Sequence, residues 1–572
     1  MIAWLDSAFS PRTTGSTQSF SRQLRLAVGL IWLALTLYLV SHHVMWRDEV
    51  RALSLALSGD TIFDMPSYAR GYGHPLLWHV ILRTSHDLFG TRLVLPGAAL
   101  VVTVAANATL LWASPLRLSV VCLVMFSFFG LYEYCVTARN YGISMLLLFA
   151  IAASYTKSRH RGPVLGLLLA LLCNTNVHSV VLALAFYLFW AIDLIFEQGI
   201  RWSPAKKNLI LNAAIVAVGV VASIASVVPS LEDAPSVAPS SWLSRALEMI
   251  PGTAYARIFG NFHFSPLMQI AAAILVFGST AMFARRPAAL IAALAALVGL
   301  QAIFVFVYPG FYRHEALVIV FDITLLWLVV QGHGGRWQPS GRAPPWLQLA
   351  EFGGRALFLA LLASQLPASA RAVVNAVNGK PESETQHVAE LIARHGLQRA
   401  IIVTDPDFMA EALAYYLDNP IYSLRQRRFS HVVGMRLAES RPMTLARILT
   451  TAQMLQNTTS RDVLVLLNTP LPSDNRYMVI DRSTFGPLVL TPGDLRAFRD
   501  AVVPLGELRQ ASGDEDFSVY LLNRHLRSRA TPKAPKRVPG TAMQPSRPRP
   551  SPAKERMETI GRGRGDRDEV PA

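Results

Sequence analysis

The chain has 572 residues, of which 52% are hydrophobic and only 16% charged, and its mean hydropathy is +0.35. This is too apolar for a soluble protein of its size, and three cysteines in or beside apolar runs (Cys122, Cys135 and Cys173) give no disulfide framework. The net charge of +16 sits mostly on loop arginines and the C-terminal tail, which in a membrane chain reads as topology and contact with anionic lipid, not as nucleic-acid binding.

Residues 1–25 form a polar tail expected on the cytoplasmic side. Apolar runs long enough to cross about 30 Å of hydrocarbon then recur through 26–372. They predict a polytopic α-helical membrane protein of about eleven spans, at 26–45, 93–113, 118–133, 141–156, 163–174, 178–197, 209–228, 267–284, 288–307, 314–331 and 354–372. The first span is full length and lacks a small-residue cleavage site, so it reads as an uncleaved anchor. With the N-terminus inside, the cytoplasmic loops hold Arg117, Lys157, Arg159, Arg161, Arg201, Lys206, Lys207, Arg285, Arg286, Arg336 and Arg342. The short outer loops around 134–140, 175–177 and 308–313 carry only Arg139 and Arg313, as the positive-inside rule requires. The first outer loop departs from that rule with Arg47, Arg51, Arg70, Arg83 and Arg92, and such an excess predicts bound anions.

An odd span count places 373–526 on the outer side, where composition changes. IIVT at 401–404, VLVLLN at 463–468 and SVYLLN at 518–523 predict buried strands, whereas 387–397, 408–417 and 445–456 have helical apolar spacing. The alternation predicts a small soluble α/β domain, in which Tyr415-Tyr416 reads as core packing. Residues 527–572 are rich in Pro, Arg, Lys, Ser and Gly, cannot build a core, and are expected to be a disordered basic tail. There is no glycine-rich nucleotide loop, nucleophile elbow or cysteine–histidine zinc pattern.

Residues 46–90, WRDEVRALSLALSGDTIFDMPSYARGYGHPLLWHVILRTSHDLFG, are the part of the chain that bears most on function. The acid pair Asp48-Glu49 falls where the first span emerges into water, close enough to lipid to meet a lipid-borne substrate and wet enough to handle protons. The bland alternative is a pair of salt bridges from these acids to Arg47 and Arg51. Farther along come His74-Pro75, then SFFGLYEYCVTARNYGISMLLLF with Arg139 and Tyr141. Last are TNVHSVVLALAF with His178 and YPGFYRHEALVIV with Tyr308, Arg313 and His314.

In this order the features resemble the C-type glycosyltransferase superfamily, in particular the branch with protein O-mannosyltransferases and the lipid A aminoarabinose transferase. One departure is Leu76, where a second proline is common after the histidine. The resemblance implies transfer of a sugar from a polyprenyl-phosphate-linked donor to an envelope glycolipid, glycan or protein, by an inverting enzyme in a bacterial inner membrane with its site on the periplasmic side. Such a reaction needs a base for the acceptor hydroxyl and cations for the leaving phosphate. Asp48 is the expected base and Glu49 its support, through hydrogen bonding or a divalent-metal contact. Arg139 and Arg313 are the expected phosphate ligands because guanidinium grips phosphate bidentately. His74, Tyr141, His178, Tyr308 and His314 are expected to bind or orient substrate. The alternative reading is a transporter or flippase of a lipid-linked substrate; internal repeats with matching broken helices would favour it, and none is legible.

Overall fold

The computed structural model describes residues 18–70, 72–228, 250–259, 266–336, 344–434, 441–480 and 486–523. All of these belong to one compact unit, Met1–Arg524. The expected tail 527–572 and residues 1–17 lie outside the described residues.

The N-terminal part is helical. In chain order the longer helices are α1 (Gln18–His42), α2 (Arg47–Ala56), α3 (Leu77–Phe89), α4 (Val94–Ala113), α5 (Leu118–Met125), α6 (Tyr141–Ser158) and α7 (Val164–Cys173). They are followed by α8 (Val177–Gln198), α9 (Pro204–Val227), α10 (Pro266–Ser279), α11 (Pro287–Phe306), α12 (Tyr312–Val330), α13 (Pro345–Ala363) and α14 (Leu366–Val377). Six stretches combine the length and apolarity of a membrane span: Ser21–His42, Val94–Ala113, Val177–Gln198, Pro204–Val227, Pro287–Phe306 and Pro345–Val377. The chain is thus an integral membrane protein. Val101, Val218 and Val221 on these helices are each more than 60% exposed, whereas Phe149, Phe186, Trp190 and Trp327 are fully buried between helices. Apolar side chains on the outer surface and a dry interior are what a lipid solvent selects.

The run expected as one span over 118–133 is broken. Its helix stops at Met125, and Phe129–Glu133 forms a π-helical turn. Ser127 drives the break, its hydroxyl donating to the Val124 carbonyl at 2.6 Å and accepting the Gly130 N–H at 3.2 Å. Such bonds compete with the helical ladder. A Cβ at Gly130 would lie 2.0 Å from the Val124 oxygen, so only glycine fits that turn.

The two ends of the helical part differ. At one, Arg25 donates to the Leu116 carbonyl, and Asp193 accepts from Tyr155, Arg159 and the Gly334 N–H at 2.6–2.9 Å. At the other lie α2, the loop 134–140, the start of α8 and the start of α12, with the C-terminal sheets beside them.

The C-terminal part is α/β. Strands β1 (Ile401–Asp405), β2 (Ile421–Ser423), β3 (Arg428–Phe429), β5 (Val463–Leu467), β8 (Val502–Leu508) and β9 (Phe517–Leu522) form one sheet in the order β3-β2-β1-β5-β9-β8. Strand β1 runs parallel to β2 and β5, and β9 antiparallel to β5. A second sheet pairs β4 (Met443–Thr444), β7 (Leu488–Leu490) and β6 (Met478–Ile480) in the order β4-β7-β6. Helices α15 (Thr385–Arg394), α16 (Leu445–Thr459) and α17 (Pro492–Ala501) complete it. Strands β1 and β5 are buried at every residue, as unbroken apolar runs in a covered sheet should be. The helix expected over 408–417 is replaced by a 3₁₀ turn at Asp407–Ala410 and a single turn at Leu413–Tyr416. Tyr416 is more than core packing, because its hydroxyl accepts the Met45 N–H at 2.7 Å.

Candidate active site

The expected site residues, scattered from 48 to 314 in sequence, converge at the end of the helical part that adjoins the α/β part. Asp48 sits in the first turn of α2, where unpaired backbone N–H groups favour a carboxylate. Arg139 donates to its Oδ2 at 2.7 Å, and the Arg313 guanidinium lies 3.7 Å from the same oxygen. The Trp46 ring lies between the two arginines, 5.8 Å from the Arg139 guanidinium carbon and 5.6 Å from that of Arg313. Burial alone would raise the Asp48 carboxyl, but Arg139 and Arg313 hold it well below the usual carboxylate range, so it is ionised.

Glu49 points inward and is fully buried. It accepts from His43 at 2.9 and 3.1 Å, from the Trp46 N–H at 3.1 Å and from the Ala138 N–H at 2.5 Å. It caps its own helix and ties the end of α1 to the loop that carries Arg139. Its oxygens are taken by these protein donors. Among the described residues Asp48 pairs with Arg139 and Arg313 in place of the Arg47 and Arg51 of the salt-bridge alternative, whose charges act on it from farther away.

The aromatic and imidazole groups form one stack. The Nδ1 of His314 accepts the Phe311 N–H at 3.1 Å, which places the proton on Nε2, and Nε2 lies 2.9 Å from the Tyr141 hydroxyl. His178 stacks on His314 with ring centroids 4.2 Å apart, and both of its nitrogens are buried without a hydrogen-bond partner. Tyr308 borders this stack, 5.9 Å from the His314 ring, and is partly exposed. His74 is half-buried and interacts electrostatically with Arg139, Asp48 and His178; burial first, then Arg139, pushes its imidazole down to about 3. Polar groups lock the loops beneath: Asn140 donates to the Thr175 carbonyl at 2.6 Å, and Ser144 contacts Thr175 and Ser179 at 2.8 and 2.9 Å.

Arg313 also faces a cavity of about 340 Å³ bounded by α1, α12 and α14. Arg257, Arg371, Lys380, His43 and Glu133 share its walls. Trp46, Glu133, Arg257 and Glu315 were not among the expected site residues. Glu315 is fully buried and accepts the N–H groups of Gly252 and Tyr255 at 2.5 and 2.6 Å, which pins the turn Thr253–Ala256 and so sets Arg257 against Phe311. A carboxylate beside Arg313-His314 in an apolar helix was the signal that could have found it.

Four of the five arginines in the first outer loop are held within the protein, and Arg70 is exposed. Arg47, Arg51, Arg83 and Arg92 are all taken by acceptors of the protein itself.

The fold and site define a polytopic membrane protein that gathers one carboxylate, two guanidiniums and an aromatic–imidazole stack at one end. No protein-family model matches the chain, and no curated protein matches it. Among solved structures it is similar to ArnT from Cupriavidus metallidurans bound to undecaprenyl phosphate, with 12% identity, a TM-score of 0.44, and coverage of 91% of this chain and 100% of that one. It is also similar to ArnT from Cupriavidus metallidurans in the apo state, with 13% identity, a TM-score of 0.43 and the same coverage.

Proposed function

We propose that the protein is an integral-membrane glycosyltransferase that moves a sugar from a polyprenyl-phosphate-linked donor to an envelope glycolipid, glycan or protein. Its site faces the periplasm from the inner membrane, under the eleven-span topology. The observation that carries this reading is the Asp48 carboxylate held by Arg139 and Arg313, the latter opening onto a cavity whose walls carry Arg257, Arg371 and Lys380 together with Glu133 and Glu382.

In this reaction the acceptor hydroxyl attacks the anomeric carbon as the bond from that carbon to the phosphate oxygen breaks, with inversion. Asp48 takes the hydroxyl proton, and polyprenyl phosphate leaves with the bonding electrons. In the free protein the two arginines make Asp48 a weak base. A donor phosphate that engages the same guanidiniums offsets their charge and raises the proton affinity of Asp48 when the acceptor needs it. The arginines then stabilise the charge developing on the leaving phosphate. His314 and Tyr141, already bonded to each other, present a hydroxyl edge to the sugar, and the two unpartnered nitrogens of His178 offer further polar contacts.

The test is mass spectrometry of envelope glycolipids and glycans from cells with and without the protein. A species heavier by one sugar, present only with the active protein, supports transfer. Unchanged glycoforms, with a lipid-linked sugar accumulating on one side of the membrane when the protein is absent, would instead support a flippase.

A further inference from the structure

In open sheets with parallel strands, ligands bind in the crevice beyond the carboxyl ends of the strands, where the chain leaves adjacent strands in opposite directions. Here that point lies between β1, which leads to β2 on one side, and β5, which leads toward β8 and β9 on the other. Glu411 follows β1, and Asp514 and Glu515 precede β9 at the same edge, because β9 runs antiparallel to β5.

The crevice is filled by the chain's own α2. The Arg47 N–H donates to Glu515 at 2.9 Å, and its guanidinium reaches Asp514 at 2.6 and 2.8 Å and Glu515 at 3.1 Å. Arg51, one turn on, lies 3.2 Å from Glu411 and also donates to the Val433 carbonyl. Just before the helix, the Met45 N–H goes to Tyr416 at 2.7 Å, and the Met45 carbonyl accepts from Thr385 at 3.1 Å.

Arg47 and Arg51 are four residues apart and share one face of α2, while Asp48 points to Arg139 and Arg313 from another. Two buried carboxylates therefore fix the rotation of the helix about its axis, and the direction of Asp48 follows from it. Glu411 and Glu515 are each about 2% exposed or less, so neither exchanges Arg for water.

We propose that the α/β part is a positioning device for the transfer reaction, in which Glu411 and Glu515, acting through Arg51 and Arg47, aim Asp48. This rests on the reading of Asp48 as the base. Neither glutamate touches substrate; both are positioning residues.

The test uses the full-length protein in proteoliposomes, with the polyprenyl-phosphate-sugar fraction extracted from cells that lack it and membranes of those cells as acceptor. Glu411→Gln and Glu515→Gln should each lower kcat by about 10- to 100-fold with the donor KM little changed, as expected for a base displaced by a fraction of an ångström to an ångström. In the Asp48→Asn background the same substitutions should add no further loss, because they act only through that carboxylate. Hydrogen exchange over 45–56 should quicken in both variants, while that over the membrane helix α8 stays as in wild type. Wild-type kcat in the glutamine variants, or losses that multiply with Asp48→Asn, would overturn the proposal. Wild-type turnover by Asp48→Asn alone would instead remove the base assignment on which it rests.

Discussion

Replacing Arg139 with lysine keeps the charge and removes the geometry. Arg139 donates to Asp48 at 2.7 Å, lies over Trp46 and Tyr141 at 5.8 and 5.6 Å, and is about 9% exposed. A lysine ammonium is a compact point charge that cannot span Asp48 and a phosphate oxygen with a rigid fork. A hydrogen bond to a charged group contributes about 1.5–3 kcal/mol, and a cation–π contact about 0.5–1 kcal/mol. With both ring contacts counted, these come to about 2.5–5 kcal/mol; lysine recovers part of each, so the net loss of transition-state stabilisation should be about 2–4 kcal/mol, which is about 30- to 700-fold in rate. Steady-state transfer in proteoliposomes, with kcat and donor KM resolved, measures it. Arg285→Lys is the control: Arg285 pairs with Glu351 at the opposite end of the helices and should leave transfer unchanged. Arg139→Lys with kcat/KM within about twofold of wild type would refute the role of a guanidinium fork at this position.

Glu49→Gln keeps the size of a residue that accepts from His43, Trp46 and Ala138, and should lower the melting temperature together with kcat; a change in kcat alone, at unchanged melting temperature, would make Glu49 a reacting group. His43 responds to pH through the same pair. Burial alone would lower its imidazole, but Glu49, with Glu382 and Glu133 nearby, raises it from 6.5 to about 9. The charged pair therefore contributes stability fully below about pH 6.5 and loses it as pH rises through about 9. The melting temperature should fall over that window in wild type and stay flat in His43→Gln; equal slopes in the two would remove His43 from the linkage.

Much of the site was legible because its residues stand out locally. Asp48, Arg139 and Arg313 are charges at the ends of apolar runs, and the structure brings all three to one point from the first turns of α2 and α12 and the loop 134–140. Strands β1 and β5 were legible from unbroken apolar runs. The break after Met125 was not, because it depends on a serine whose hydroxyl turns back onto the helix instead of toward a neighbour. The helix over 408–417 failed for a tertiary reason: the chain bends there to set Glu411 against Arg51 and Tyr416 against Met45. The partners of Arg47, Arg51 and Arg92, namely Glu411, Asp418, Asp514 and Glu515, were not legible because they lie hundreds of residues away, whereas the pair of Arg83 with Asp87 is a local one at helical spacing.

The measurement that bears most directly on the central claim is sugar transfer by purified Asp48→Asn. Asparagine keeps the size and can still accept from Arg139, but it cannot take the acceptor's proton. With the extracted polyprenyl-phosphate-sugar fraction as donor, wild-type protein should form the glycosylated product and free polyprenyl phosphate in equal amounts. Asp48→Asn, with its melting temperature preserved, should be slower by at least about 10²-fold. Wild-type turnover by a folded Asp48→Asn protein would contradict the account.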